Sequence, residues 1–190
     1  FTAQAIDQAG NKGSVSTAFN AVIDTKAPTA GLVTAIAPDT GTIGDGLTSS
    51  PAPVVSGTGE KGATAIIAVD GVESGRAAIG TDGKWSYNLP TLNEGTSQVT
   101  VTVLDLAGNL SPVSASFAVR LDTQAPGAPV INGISSDTGR SDTDLITKST
   151  AFSLLVSAEP GSKVEAILNG VVLGSAMADS AGNALVSVKG

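Results

Sequence analysis

The chain has no cysteine and no histidine among its 190 residues. Without cysteine there is no disulfide framework and no thiol chemistry. Without histidine the usual general base and the commonest nitrogen ligand of transition metals are both missing. Aromatic residues make up only 3%, so each core has to be built mainly from Val, Ile, Leu and Ala. Ten basic residues stand against 17 acidic ones, a net charge of −7. That balance disfavours nucleic acids and anionic membrane surfaces and favours dissolved cations. The longest strongly apolar run, residues 63–69, is far short of the roughly 20 residues a transmembrane helix needs, which argues against membrane insertion.

What the sequence does have is 23 Gly, 9 Pro and alternating apolar runs rich in Val, Thr, Ser and Ala, with almost no helical periodicity. This is the pattern of an all-β chain of short strands joined by turns. It also repeats. Residues 1–28 and 99–126 agree at 12 of 28 positions without a gap, at D-x-A-G-N, V-S, F and D-T-x-A-P above all. An offset of 98, from Phe1 to Val99, is a usual domain size, so the chain reads as tandem modules of about 98 residues and not one enzyme-sized domain.

Three parts follow from the repeat. Residues 1–24 correspond to the last two strands of a module, residues 25–122 to a complete module, and residues 123–190 to the beginning of another. Phe1 and Gly190 both fall within a repeat unit, so the chain is expected to be a fragment. Strands are expected over residues 1–6 and 15–23, then over 31–36, 54–57, 64–69, 73–79, 84–89, 99–103 and 113–121, with residues 37–50 a polar loop and 90–95 another. Asp70-Gly71 is expected as a two-residue hairpin turn, and Asp82-Gly83 as a second turn. Seven strands in about 95 residues is the count of an immunoglobulin-like sandwich. The last part has a strand over 130–134 and a second D-T-G at 137–139, and Asn169-Gly170 replaces Asp70-Gly71. Residues 1–24 are of the kind that would supply its final strands, so one chain could complete another and self-associate head to tail; the plainer reading is that residues beyond this stretch complete it.

The acids sort to the two ends of the complete module. Asp24 of the incoming linker is expected near Asp105, with Glu60 nearby. Asp122 of the outgoing linker is expected near Asp39 and Asp45. Converging carboxylates repel one another unless a cation lies between them, and clusters of hard oxygens suit Ca²⁺. The plainer reading is that turns select Asp and Asn because their side chains bond the local backbone. That reading is preferred for Asp70, Asp82, Asn109 and Asn169, and calcium for Asp24, Asp105 and Asp122, which recur beside linkers. Paired carboxylates also suffice for glycoside hydrolysis. These acids, however, lie in turns without an evident groove or stacking aromatics, so no catalytic residue is assigned. Trp85 and Tyr87 share one face of a strand and are expected in the core or on half-buried surface, with a carbohydrate- or receptor-binding platform as the alternative.

The motifs V-S-G-T-x-E-x-G-A-T at 55–64, D-G-K-W-S-Y at 82–87, V-T-V-x-D-x-A-G-N at 101–109 and D-T-x-A-P at both linkers resemble the bacterial Ig-like repeats of giant, type I-secreted non-fimbrial adhesins of Gram-negative bacteria. The resemblance implies a long rod of Ig sandwiches on the bacterial cell surface that supports adhesion to host or neighbouring cells. It also implies Ca²⁺ between neighbouring modules, with junction aspartates matching Asp24, Asp105, Asp122 and, through D-T-G, Asp39 and Asp137. The third part departs from the pattern: FSLLVSA stands where the complete module has VVSGTG, and Asn183-Ala184 where it has Lys84-Trp85.

Overall fold

The computed structural model describes residues 1–138, 140, 141 and 143–189; Gly139, which closes the second D-T-G, lies outside them. Among the described residues all regular structure is strand: β1 Gln4–Ile6, β2 Lys12–Val15, β3 Leu32–Ala37, β4 Leu47–Thr48, β5 Val54–Thr58, β6 Thr64–Val69, β7 Val72–Ala78, β8 Lys84–Asn88, β9 Gly95–Leu104, β10 Phe117–Leu121, β11 Val130–Ile134, β12 Ala151–Ser157, β13 Lys163–Leu168, β14 Val171–Met177 and β15 Asn183–Lys189. The chain divides into a unit Phe1–Thr123 and a second unit from Gln124 onward.

In the first unit β3, β5 and β8 form one sheet, and β4, β10, β9, β6 and β7 form the other in that order. β9 shows why the sheets stack. Side chains alternate across a strand, and Ser97, Val99, Val101 and Val103 all turn inward and are buried. The three valines meet Val55 and Trp85 of the facing sheet, Ala65 and Ile67 of β6, and Val119 and Leu121 of β10 in one core. Fully burying such an aliphatic side chain contributes about 1.5–3 kcal/mol. This arrangement is the immunoglobulin-like sandwich expected from the strand count.

Trp85 belongs to that core, 3% exposed, and its Nε1 donates to the Thr58 carbonyl at 3.2 Å. Half-buried Tyr87 donates its hydroxyl to the Ser74 carbonyl at 2.7 Å. Neither ring is a solvent-facing platform. Trp85 lies opposite Gly57 across the β5–β8 ladder, where a Cβ would fall 2.4 Å from the indole. In the second unit the pair at this place in the β12–β15 ladder is Val156 opposite Ala184. Volume has moved from one strand to its neighbour, which is how FSLLVSA and Asn183-Ala184 fit the same fold.

Four boundaries differ from the sequence reading. The strand expected over residues 15–23 is β2, Lys12–Val15, and residues 16–23 carry no regular strand, because the Ser16 hydroxyl takes the Ala3 N–H in place of a ladder partner. Residues 37–50 are not all loop: β4 runs parallel to β10, pairing Leu47 with Arg120 and Thr48 with Leu121. Two residues are too short to show a hydrophobic period, so the strand is invisible in the sequence. β9 begins at Gly95, four residues early. β10 begins late, at Phe117, because serine side chains replace the ladder ahead of it: Ser111 Oγ accepts from Val103 N at 2.9 Å and Ser114 Oγ from Val101 N at 3.0 Å.

The second unit has two sheets, β11-β12-β15 and β13-β14, around Val156, Val164, Ala166, Ala184, Val186 and Val188. Its β13–β14 turn, Asn169-Gly170, has φ 50° and 81°, and Asp70-Gly71 has 50° and 82°, both the type I′ form that suits twisted hairpins. β1 and β2 form a separate two-stranded hairpin, and every residue from 1 to 27 is exposed.

Gly46 lets β4 approach β10. Its φ is +75°, and a Cβ there would stand 2.5 Å from the Ala118 carbonyl oxygen, whereas Gly44, at φ +95°, faces open space. Gly44→Ala should therefore carry conformational strain alone, on the order of 1 kcal/mol. Gly46→Ala should add the displacement of β4 and lose clearly more, about 2–3 kcal/mol in all. Equal losses in thermal melts would contradict the close approach.

Candidate metal centres at the module ends

At the end where the first linker enters, the D-x-A-G-N turn organises the acids. Buried Asp105 accepts from Ala107 N at 2.9 Å and Asn109 N at 2.8 Å through Oδ1, and from Asn109 Nδ2 at 2.8 Å through Oδ2. The Asn109 amide also donates to the Asp24 carbonyl oxygen at 3.2 Å, which places the linker beside the turn. The Asp24 carboxylate accepts from Lys26 N at 3.0 Å. Glu60 is exposed in the β5–β6 loop, with its carbonyl accepting from Ala63 N.

The same pentapeptide makes the same turn elsewhere. Asp7 Oδ1 accepts from Ala9 N and Asn11 N, and its Oδ2 from Asn11 Nδ2. Asp179 Oδ1 accepts from Ala181 N and Asn183 N at 2.9 Å each. The third copy, DSAGN at 179–183, was legible in the sequence and lies between β14 and β15, away from the position that repeats at 98. D-x-A-G-N is thus first a self-contained turn motif, in which the carboxylate replaces missing backbone partners. Its donors hold all three carboxyls below the ordinary aspartate value. For Asp7 and Asp105 the largest cause is the side-chain amide of Asn11 or Asn109, with burial opposing it and backbone N–H groups adding to it. For Asp179 the backbone N–H of Asn183 leads.

At the outgoing end the loop between β3 and β4 carries Asp39 and Asp45. Half-buried Asp39 accepts from Gly44 N at 2.7 Å through Oδ2, and exposed Asp45 accepts from Leu47 N at 2.9 Å. Asp122 donates its N–H to the Thr48 carbonyl at 3.0 Å, so the linker begins where this loop ends. The second unit repeats several of these bonds, with a different donor on its first aspartate. Asp137 Oδ2 accepts from Leu145 N, Asp144 Oδ1 from Ile146 N, and Thr138 Oγ1 from Lys148 N as Thr40 Oγ1 does from Ser49 N.

One feature separates these loops from the turns. Asp39 Oδ1 and Asp137 Oδ1 are buried and have no hydrogen-bond donor among the described residues. An unmatched buried carboxylate oxygen is costly unless a cation or donor meets it. No three acidic side chains gather as a metal-binding group among the described residues, so the six sequence candidates do not form closed cages: Asp24 adjoins the Asp105 turn through its carbonyl, and Glu60 is exposed in its own loop. Sequence reasoning also missed Glu94, whose carboxylate accepts from Thr123 N at 3.1 Å and from the Thr123 hydroxyl. This exposed acid fastens the start of the second linker, and no spacing marks it.

A model of the bacterial Ig-like domain family matches residues 27–123. A solved structure described as giving insight into host cell surface retention of a 1.5-MDa bacterial ice-binding adhesin is 21% identical, with a TM-score of 0.39 over 97% of this chain and 61% of that one. A biofilm-associated protein BSP domain is 21% identical, with a TM-score of 0.32 over 86% of this chain and 24% of that one. The chain therefore spans less than two thirds of either. Among curated proteins none matches it.

The Asp105 shift fixes a pH dependence. A carboxyl with a lowered folded pKa contributes stability that is complete above its unfolded value of about 3.9 and is lost as pH falls through the lower folded value. A carboxyl-detected NMR titration should give Asp105 a midpoint below the ordinary aspartate range, and Asp105→Asn should remove that part of the acid unfolding. A midpoint at or above the ordinary value would contradict the turn geometry.

Proposed function

We propose, given that the chain belongs to the bacterial Ig-like domain family, that it is a spacer segment of a bacterial surface adhesin, a secreted stalk whose tandem sandwiches hold a distal adhesive tip away from the cell. The role is mechanical. Aliphatic sandwiches joined through D-T-x-A-P linkers give a chain of small rigid bodies, and Pro28 and Pro126 restrict the backbone where a linker would otherwise swing.

Ca²⁺ at the module ends completes this reading, and the observation that supports it is the pair of buried, donorless oxygens, Asp39 Oδ1 and Asp137 Oδ1. They occupy the same place in two loops of the same design. The donor set is all oxygen, which suits Ca²⁺ and excludes softer metals. In the first unit Asp39 would hold the ion, and Asp45 of its loop and Asp122 of the linker, which do not gather with it as a three-acid group in the structure, would have to close on it. In the second Asp137 and Asp144 would do so. The bound ion would supply positive charge against the buried carboxylate. Asp39 then ties its loop down, and Asp122 ties the linker to the module. Asp24 and Asp105 are assigned a weaker part, because the Asp105 oxygens already accept three turn donors and retain little capacity beyond them.

Thermal melting and small-angle scattering in calcium against chelator test this. Saturating Ca²⁺ at about 100 times its dissociation constant should add about 2.7 kcal/mol to the folded state and lengthen the maximum dimension. Asp39→Asn and Asp137→Asn should each lose part of the increment, yet in chelator be no less stable than the parent, since each removes an unmatched charge. Identical melts with and without calcium would refute the calcium reading.

A further inference from the structure

The outer faces of the two three-stranded sheets carry different chemistry at one place. The ladder pair Ser56–Ser86 of β5 and β8 corresponds to Leu155–Leu185 of β12 and β15, each beside the inward pair of its own ladder. The bulged residue next to it is Thr34 in the first unit and Asn132 in the second. The turns before β8 and β15 also match: Gly83 N donates to the Gly80 carbonyl, and Gly182 N to the Asp179 carbonyl. Gly80 and Lys84 therefore correspond to Asp179 and Asn183. A hydroxyl-bearing face with a cation in the first unit becomes a leucine pair beside an acid in the second.

This face is open by the design of the fold. In the complete first unit β9 and β10 belong to the five-stranded sheet, and Thr34, Lys84 and Ser86 stay exposed on the three-stranded one. The strands that complete such a sandwich thus leave the face free. In the second unit Leu155 and Leu185 are 41% and 55% exposed, and with Asn132, Asp179 and Asn183 they line a groove of about 340 Å³. Apolar walls with a few convergent polar groups are the form of a ligand site. Those groups have acceptors to spare. Ala181 N, Asn183 N and the Asn183 amide all donate to Asp179 Oδ1, which leaves Oδ2 to a ligand. The Asn132 amide donates to Ser157 Oγ at 2.7 Å, so both asparagine side chains keep a carbonyl oxygen as acceptor.

We propose that this groove binds a protonated primary amine on an aliphatic stem, the lysine side chain of an exposed basic segment of another protein. The stem lies across Leu155 and Leu185, and the ammonium meets Asp179 Oδ2 and the amide oxygens of Asn132 and Asn183, three acceptors for three donors. A guanidinium makes its bidentate match with both oxygens of a carboxylate. Asp179 Oδ1 is already filled, which favours lysine over arginine. The net charge of −7 draws a basic partner toward the chain. The first unit, with Lys84 and two serines at this place, repels the same ligand. No acid of the calcium reading takes part, so binding is measured in chelator and its failure leaves that reading untouched.

A ¹⁵N NMR titration of the full chain with the capped tripeptide acetyl-Ala-Lys-Ala-amide tests the proposal. Saturable shifts should centre on the amides of Asn132, Leu155, Asp179, Asn183 and Leu185, with a dissociation constant of about 1 mM for so small a ligand. Asp179→Asn, whose side-chain oxygen can still accept from the turn, should weaken binding about tenfold, the worth of one charge-assisted bond. Leu155→Ser with Leu185→Ser, the residues the first unit carries there, should weaken it about as much. The dispersion of the same spectra reports that each variant is folded. The peptide with its lysine Nε acetylated should not bind. Absence of saturable shifts at these amides, equal shifts on the outer face of β3, β5 and β8, unchanged affinity in Asp179→Asn, or equal binding of the acetylated peptide would each overturn the proposal.

Discussion

The structure depends on the ladder between β9 and β6. With β9 in place, three inward valines close the sandwich against Val55, Ile67 and Trp85, and the largest strands of the sheet share one continuous set of hydrogen bonds. The remaining features of the chain follow from where that ladder is present. The first unit has it and has the larger core. Among the described residues of the second unit β13 pairs with β14 alone, and apolar side chains line a groove beside it. Residues 1–19 have the hairpin without a sheet to cover, and their aromatic side chains stand in solvent. A chain poor in aromatics gains its stability from many small aliphatic contacts.

Much of this was legible because repetition carries information that periodicity alone does not. The D-G and N-G turns and the alternation of Val99, Val101 and Val103 placed most strands within a residue or two. What escaped was short, or was held by side chains instead of by pattern. β4 is two residues long and owes its place to Gly46 and to bonds across β10: Gly46 accepts from Arg120 N, and Thr48 from Asp122 N. The late start of β10 follows from Ser111 and Ser114, whose hydroxyls satisfy β9 amides that a strand would otherwise meet. Trp85 looked like a departure when the modules were compared, because its partner, Gly57, gives up the volume that Val156 keeps.

The acidic residues were legible in position but not in role. Asp24 and Asp105 are neighbours in space, as their flanking of a linker implies. The recurrence of D-x-A-G-N at 179–183 shows, however, that this pentapeptide closes a turn wherever it occurs. Spacing could not distinguish an aspartate whose oxygens are filled by amides from one with an oxygen left over. Burial and donor geometry do distinguish them, and they single out Asp39 and Asp137 from the other candidates. Glu94 and its hold on Thr123 had no sequence signal, because a single exposed acid in a polar loop is unremarkable until the fold brings the linker to it.

Hydrogen exchange at single-amide resolution, in chelator and at a concentration low enough to keep chains apart, tests the dependence on the β9 ladder most directly. The amides of β6 and β9 should be the slowest in the chain and exchange only through opening of the whole first unit. Those of β13 and of residues 3–16 should exchange far faster, through local opening. Equal protection of β13 and β6 would contradict the account, because it would mean that the β9 ladder adds nothing to the protection of β6.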